Sequence, residues 1–183
     1  MQREEVRARL RSERDEQYSR RENVRIVGIE EKVGEDLEEI VIEVGRKVGV
    51  DIEREDISDC HRVGARKQGV VSRQIITRFM NRKKKKALIE GARKNAKNVE
   101  DLKGKVYINE DLTDMRQKMC SCLRKCEKVM GVTTVNGNIL CFFKEVRHDG
   151  RNVMRKVEGP EDLAEVLGES VKSVLGKIGL REE

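Results

Sequence analysis

Apolar and polar residues alternate in four stretches between residues 23 and 110, which is the pattern of half-buried β-strands. These stretches are rich in β-branched residues, and Gly28, near the end of the first, suits a bend or a close approach of another backbone segment. The pattern predicts strands at residues 23–29, 57–63, 74–79 and 105–110.

Two helical patterns separate these strands. The first covers residues 35–48, and Gly49 is a typical end for it. Its apolar face consists of Leu37, Ile40, Val41, Val44 and Val48. The second follows the third strand and begins with five consecutive cations, Arg82 to Lys86. The order β-α-β-β-α-β predicts an α+β fold of the ferredoxin-like type, in which both helices cover one sheet face and leave the other open.

A second α/β unit is predicted for residues 112–183. Thr113 or Asp114 can cap a helix that runs to Gly131. Asn136-Gly137 is a strong hairpin signal, and a turn at 148–150 returns the chain into a third strand. Pro160 suits the first turn of one final helix. The unit is therefore α-β-β-β-α.

Residues 1–22 form a charged helical segment. Six positions fall on alternating spacings of four and three, as one heptad seam would, although only two of the first five are apolar. They are Val6, Leu10, Glu13, Gln17, Arg20 and Val24. Two interpretations stay open, a solvated helix or the end of a coiled coil, because about three or four heptads are needed to decide. So short a seam by itself predicts a monomer.

Charge is unevenly distributed along the 183 residues. The whole chain has 40 Lys and Arg against 34 Asp and Glu, whereas residues 58–111 alone have 15 against 6. Such a basic segment favours a polyanionic partner, because phosphate neutralisation releases counterions. The sequence has neither a stretch apolar enough to span a bilayer nor the apolar core of a signal peptide. We therefore expect a soluble intracellular protein with no membrane partner, whose five cysteines are reduced.

Three segments carry a resemblance to a known family. They are YSRRENVRIVGIEE at 18–31, DISDCHRVGARKQGVVSRQIITRFMNRKKKKALIEGARK at 56–94 and KGKVYINEDLT at 103–113. Together they resemble the first-open-reading-frame protein of LINE-type non-LTR retrotransposons. The resemblance implies the end of a coiled coil at 1–22, an RNA-recognition-motif (RRM) domain at 23–111 and a C-terminal domain at 112–183.

The same resemblance implies a function and a set of contact residues. It implies binding of single-stranded RNA and DNA with little sequence preference, nucleic-acid chaperone activity, and trimerisation through a longer coiled coil. The protein would coat its element's RNA in a cytoplasmic ribonucleoprotein. Matched by position, the family's RNA-contacting residues are Asn23, Arg25, Arg66, Lys67, Arg73, Arg78, Arg93 and Lys94. The chain departs from the family at Tyr107, where some members have a basic residue, and in lacking a tyrosine-proline segment in the C-terminal domain.

The chemistry of the residues qualifies this picture. An RRM usually stacks bases on aromatic residues of its first and third strands, but here those strands offer only Phe79. We therefore expect phosphate contacts, from the arginines above and from the run that includes Arg82, Lys83 and Lys84. Two other interpretations of that run stay open, a solvated helix start and a nuclear localisation signal.

No residue pattern indicates an enzyme, a metal site or a cofactor. Cys120, Cys122 and Cys126 would point in different directions on a helix, and Cys60 and His61 would lie on opposite faces of a strand. The phosphate-binding, serine-hydrolase and zinc-protease motifs are missing from the sequence. The competing hypothesis is a protein-interaction adaptor with an RRM-like fold that does not bind RNA.

Overall fold

The computed structural model describes residues 2–65, 72–146 and 150–180. The chain is α+β and divides into two compact units. The four-stranded unit is Arg20–Asp111, and the three-stranded unit combines Met1–Ser19 with Leu112–Glu183. The N-terminal helix therefore belongs with the C-terminal part of the chain and is not a segment apart.

The N-terminal helix, α1 (Gln2–Ser19), packs along one stripe. Val6 and Leu10 contact the apolar core of the three-stranded unit, and Gln17 is buried. Glu13 accepts hydrogen bonds from Arg116 Nε at 2.7 Å and from Thr113 Oγ1 at 2.7 Å. Four residues of the predicted heptad seam, Val6, Leu10, Glu13 and Gln17, thus lie on the face of α1 that contacts this unit, whereas Arg20 and Val24 belong to the four-stranded unit.

The sheet of the four-stranded unit has antiparallel neighbours throughout, in the order β2-β3-β1-β4. Its strands are β1 (Asn23–Val27), β2 (Ile57–Val63), β3 (Gln74–Phe79) and β4 (Tyr107–Glu110). All four predicted strands are present, although the first ends two residues earlier than expected and the last begins two residues later. Gly28 has φ +96°, and a Cβ there would lie 1.8 Å from the carbonyl oxygen of Lys105, so the predicted close approach is confirmed.

Two capped helices cover one face of this sheet. They are α2 (Leu37–Lys47) and α3 (Arg82–Asn95). Asp36 caps α2 by accepting from the amide of Glu39, and Asn81 caps α3 by accepting from the amide of Lys83. Apolar residues of both helices pack against the strands to form one core. It includes Val24, Ile26, Val41, Val44, Ile75, Phe79, Leu88, Ile89 and Ile108.

The three-stranded unit contains an antiparallel meander packed against helices. Its strands are β5 (Val129–Val135), β6 (Asn138–Val146) and β7 (Asn152–Val157). Its C-terminal helices are α4 (Asp114–Arg124), α5 (Pro160–Leu167) and α6 (Val171–Ile178). The predicted Asn136-Gly137 hairpin is confirmed, and both residues have positive φ. Of the predicted turn at 148–150, residues 148 and 149 lie outside the described part of the chain.

Two predictions for this unit were wrong. Helix α4 ends at Arg124 instead of Gly131, and Met130 lies on β5, where its side chain is exposed. The single final helix is two helices, because Gly168 adopts the left-handed conformation at φ 69° and Ser170 caps a new helix by accepting from the amide of Ser173. The apolar spacing continues across this break, which is why periodicity alone missed it.

Candidate nucleic-acid interface

The uncovered face of the four-stranded sheet is set by strand alternation. Val24 and Ile26 point into the core, so Asn23 and Arg25 point to the other side. Arg25 lies opposite Ile76 on β3 and opposite Asn109 on β4. We call this surface the open face. It consists of Asn23, Arg25, Val27, Asp59, His61, Val63, Gln74, Ile76, Arg78, Tyr107 and Asn109.

Asp111 organises the polar side chains at one end of the open face. Its carboxylate accepts from Arg25 Nη2 at 2.6 Å, from Arg20 Nη1 at 3.2 Å and from Asn23 Nδ2 at 3.1 Å. Arg25 also donates to Gln74 Oε1 at 2.9 Å. The Asp111 side chain is 2% exposed, whereas those of Arg20 and Arg25 are 28% and 21% exposed. The cluster therefore presents its positive side to solvent.

Arg78 is the most exposed of the predicted strand arginines, with 54% of its side chain accessible. It lies opposite Asn23 on β1 and donates to Glu22 Oε2 at 3.2 Å. Burial works to raise the pKa of Glu22, but hydrogen bonds and charge from Arg78 and Arg21 outweigh it, so that pKa lies below its usual value. Glu22 therefore stays ionised beside Arg78 and partly offsets its charge.

Arg73, just before β3, is held by a carboxylate. Its Nε and Nη2 donate to the two oxygens of Glu31 at 3.0 and 2.7 Å, and this pairing raises the pKa of the guanidinium. Arg62 is more deeply placed: it is paired with Glu35 at 2.8 Å and donates to three backbone carbonyls. Hydrogen bonds from Arg62 hold the pKa of Glu35 below its usual value. These pairs stabilise the loops that follow β1 and precede β3.

The run from Arg82 to Lys86 is not uniform. Within the described residues, Arg82 and Lys83 are exposed and make no ion pair. Lys84 pairs with Asp56 at 3.0 Å, which raises the pKa of the lysine. Lys85 is buried, bonding at 2.9 Å to Glu110 and at 2.9 Å to the carbonyl of Arg21. One lysine of the run thus belongs to the interior.

The predicted contact residues fall into three groups. Asn23, Arg25 and Arg78 share the open face, with Arg73 at its end. Arg82, Lys83 and Lys84 begin α3, and Arg93 and Lys94 lie in its last turn, on the helix layer that covers the opposite side of the sheet. Arg66 and Lys67 lie outside the described residues.

Several residues that shape this face were not singled out from the sequence. Asp111, Glu22 and Glu31 each bind a predicted arginine, but they come from the segment between β4 and α4, the residue before β1 and a loop, respectively. Tyr107 is 55% exposed, whereas Phe79 is 1% exposed and lies in the core. Once the register is known, alternation along β4 identifies Tyr107 as an open-face residue. The carboxylates follow no local period, so no sequence signal would have found them.

Metal binding and nucleophilic chemistry lack support among the described residues. No group of three or more His, Cys, Asp or Glu side chains within them could hold a metal ion. Cys60 contacts Thr77 on the core side, while His61 is exposed and bonds to Asp59, so the two lie on opposite faces as predicted. Within the same residues, no helix combines the length and the apolar character needed to cross a bilayer.

No protein-family model and no curated protein matches this chain.

Proposed function

We propose that the chain binds single-stranded nucleic acid, RNA and also DNA, with low sequence specificity, through the open face. The observation that carries the proposal is the Asp111 cluster, in which a buried carboxylate holds two arginines whose side chains remain partly exposed. Preorganised arginines lose little side-chain freedom when they bind a phosphate, and the guanidinium fork suits phosphate oxygens. Arg78 on the neighbouring strand extends this cationic surface.

The topology supports an RRM-like interpretation of this unit. The chain order β-α-β-β-α-β, the sheet order β2-β3-β1-β4 and the placement of α2 and α3 on one face are those expected for such a domain. Because Phe79 is buried, its ring is not accessible for base stacking on the open face. Binding therefore depends mainly on phosphates, which accounts for low sequence specificity.

The wider role follows from the family resemblance. We propose a nucleic-acid chaperone that forms the structural component of a retrotransposon ribonucleoprotein, without catalytic activity or cofactor. Such a particle would be cytoplasmic, with nuclear entry through the basic run. Trimer formation through a longer coiled coil belongs to the same proposal.

A filter-binding titration with a single-stranded oligonucleotide at several salt concentrations tests the proposal. We expect affinity to fall as salt rises, because each neutralised phosphate releases counterions. Replacing both Arg25 and Arg78 by Gln should weaken binding to all sequences alike and reduce the salt slope by roughly one for each phosphate that is no longer neutralised. Arg46→Gln is the control, because Arg46 is exposed on α2, away from the open face. Affinity independent of salt would contradict the phosphate-led mechanism.

One observation favours the adaptor hypothesis. Cations on the open face and at its end already have acidic partners, since Arg25 pairs with Asp111, Arg78 with Glu22 and Arg73 with Glu31. A face balanced in this way also suits a polar protein partner. Electrophoresis of the purified protein with a single-stranded oligonucleotide separates the two hypotheses, because an adaptor would leave the mobility of the oligonucleotide unchanged.

A further inference from the structure

A cleft of about 310 Å³ lies at the edge of the four-stranded sheet, beside β4. Its walls come from the end of α3, the segment after α3, the loop at 102–104 and the outer side of β4. The charged residues in its walls are all cations, Arg93, Lys97 and Lys103, and no carboxylate of the described residues lines it. In a chain with 34 acidic residues, an acid-free cleft favours an anionic ligand.

Tyr107 joins this cleft to the open face. It lies opposite Val27 on the sheet, it lines the cleft, and it is 55% exposed. Its hydroxyl donates to the carbonyl of Gly104 at 3.3 Å, which limits the orientations of the ring. An exposed aromatic ring beside cations is the combination that binds single-stranded nucleic acid, because bases stack on the ring while the cations contact phosphates.

Helix electrostatics explain only part of this arrangement. Cations near the C-terminal end of a helix interact favourably with its dipole, which accounts for Arg93 and for Lys97 just beyond it. Lys103 lies in a separate loop, and Tyr107 lies on a strand. Their convergence on one cleft therefore has a cause other than helix stability.

We infer that this cleft holds one nucleotide of the bound strand, with its phosphate among Arg93, Lys97 and Lys103 and its base against Tyr107. The inference rests on the proposed function and extends it, because the strand would leave the open face around the β4 edge and reach α3. The inference also assigns phosphate contacts to Arg93 and Lys97, which do not lie on the open face. The ligand chemistry is a nucleoside monophosphate unit, within a strand or free.

Two sets of variants test the cleft against a fluorescent single-stranded 20-mer. Lys97→Gln with Lys103→Gln should weaken binding about tenfold at low salt and lower the salt slope by about one, because the cleft holds one phosphate. Tyr107→Ala should also weaken binding about tenfold, which is near the lower limit of the effect of losing one base stacked on an aromatic ring. Tyr107→Phe keeps the ring and should retain near wild-type affinity. Lys32→Gln with Arg46→Gln removes the same charge from exposed positions that do not line the cleft, and should have little effect.

The outcomes separate this inference from the proposed function. If the wild type binds, the Arg25/Arg78 variant loses affinity and the cleft variants match the Lys32/Arg46 control, the cleft is not on the strand path and the inference is overturned. Failure of the wild type to bind would instead overturn the proposed function. Amide NMR titration with adenosine monophosphate distinguishes a free nucleotide from a nucleotide within a strand. Suppose that the amide signals of residues 97, 103 and 107 shift saturably while the cleft variants keep their oligonucleotide affinity. That result would show a site for free nucleotides and would reject the strand path.

Discussion

Within the described residues, the helices of each unit pack on one face of its own sheet, and the opposite faces of the two sheets differ in chemistry. In the four-stranded unit the open face is polar, with arginines held by carboxylates at its ends. In the three-stranded unit, Ile139, Cys141 and Val157 pack against helices, so the alternate residues face outward. These include Leu140, Phe142 and Met154, with Lys156 opposite Leu140.

This difference indicates how each face is maintained. Charged side chains on an open sheet need partners to keep a fixed geometry. The buried carboxylate of Asp111 is such a partner for Arg25 and Arg20. Apolar side chains on an open sheet shelter one another, which leaves Leu140 and Phe142 only partly exposed. We therefore expect the first face to depend on ion pairs and the second to depend on side-chain contact area.

The largest expected effect is from Asp111→Asn. This change removes the buried carboxylate that Arg20 and Arg25 share, so we expect a loss of about 3 kcal/mol in the free energy of unfolding. Urea denaturation measures it. The matched control is Asp114→Asn, which breaks an exposed pair with Lys118 and should cost less than about 1 kcal/mol. Equal costs for the two variants would show that the Asp111 cluster does not stabilise the unit.

A smaller effect is expected from Phe142→Ala on the apolar face. Full burial would make this change cost about 3–5 kcal/mol, and because Phe142 is only partly buried we expect about 1–2 kcal/mol. Urea denaturation measures the loss, and oligonucleotide affinity should stay unchanged. A tenfold loss of affinity would mean that this face also binds bases, and the comparison between the faces would fail.

The two units should also differ in their response to acid. In the four-stranded unit, hydrogen bonds and nearby cations hold the pKa values of Glu22, Glu35 and Asp56 below their usual values. Because the unfolded chain then binds more protons, this stability is present above the unfolded pKa values and is lost as pH falls through the folded ones. In the three-stranded unit, Glu169 has a lowered pKa, but it lies in a surface pair with Lys177, and such pairs contribute little to stability.

Amide NMR spectra recorded as the pH falls below about 4.5 measure this difference. Signals from 20–111 should lose dispersion at a higher pH than signals from 112–180. Glu35→Gln should reduce the free energy of unfolding that the four-stranded unit loses on acidification by about 1 kcal/mol. Simultaneous loss of both sets of signals in the wild type would show that acid stability does not follow these pairs.

The smallest expected effect is a gain in affinity from Glu22→Gln. This change removes the negative charge beside Arg78 and Arg21, so binding to a single-stranded oligonucleotide at low salt should tighten about threefold. Filter binding measures it. Glu55→Gln, in an exposed turn, makes the same change in net charge and serves as the control. An equal gain in both variants would indicate a general charge effect instead of local neutralisation of Arg78.

Much of the fold follows from local pattern. Alternation located the four strands, the Asn136-Gly137 pair located a hairpin, and the apolar spacing of residues 37–48 located α2. The errors occurred where local pattern continues across a structural break. Residues 163–178 keep a helical apolar spacing, but Gly168 and Ser170 end one helix and begin another.

The candidate site was less accessible to sequence reasoning. The positions of Asn23, Arg25 and Arg78 on one face followed from alternation once the sheet was expected. Their acidic partners did not, because Asp111 is 86 residues from Arg25 in the chain, and Glu22 is 56 residues from Arg78. The run of five cations also gave no indication that Lys85 is buried, because its burial depends on an ion pair with Glu110 of β4.

The sequence by itself determined most of the order of helices and strands, the basic middle of the chain and the small number of aromatic residues, because propensity, periodicity, charge and composition are read from the chain directly. Only the tertiary structure decided which cations are available at the surface. Ion pairs form between side chains brought together by strand pairing and helix packing, and their partners are distant in the chain. The same packing placed Tyr107 beside Lys97 and Lys103, which no local pattern connects.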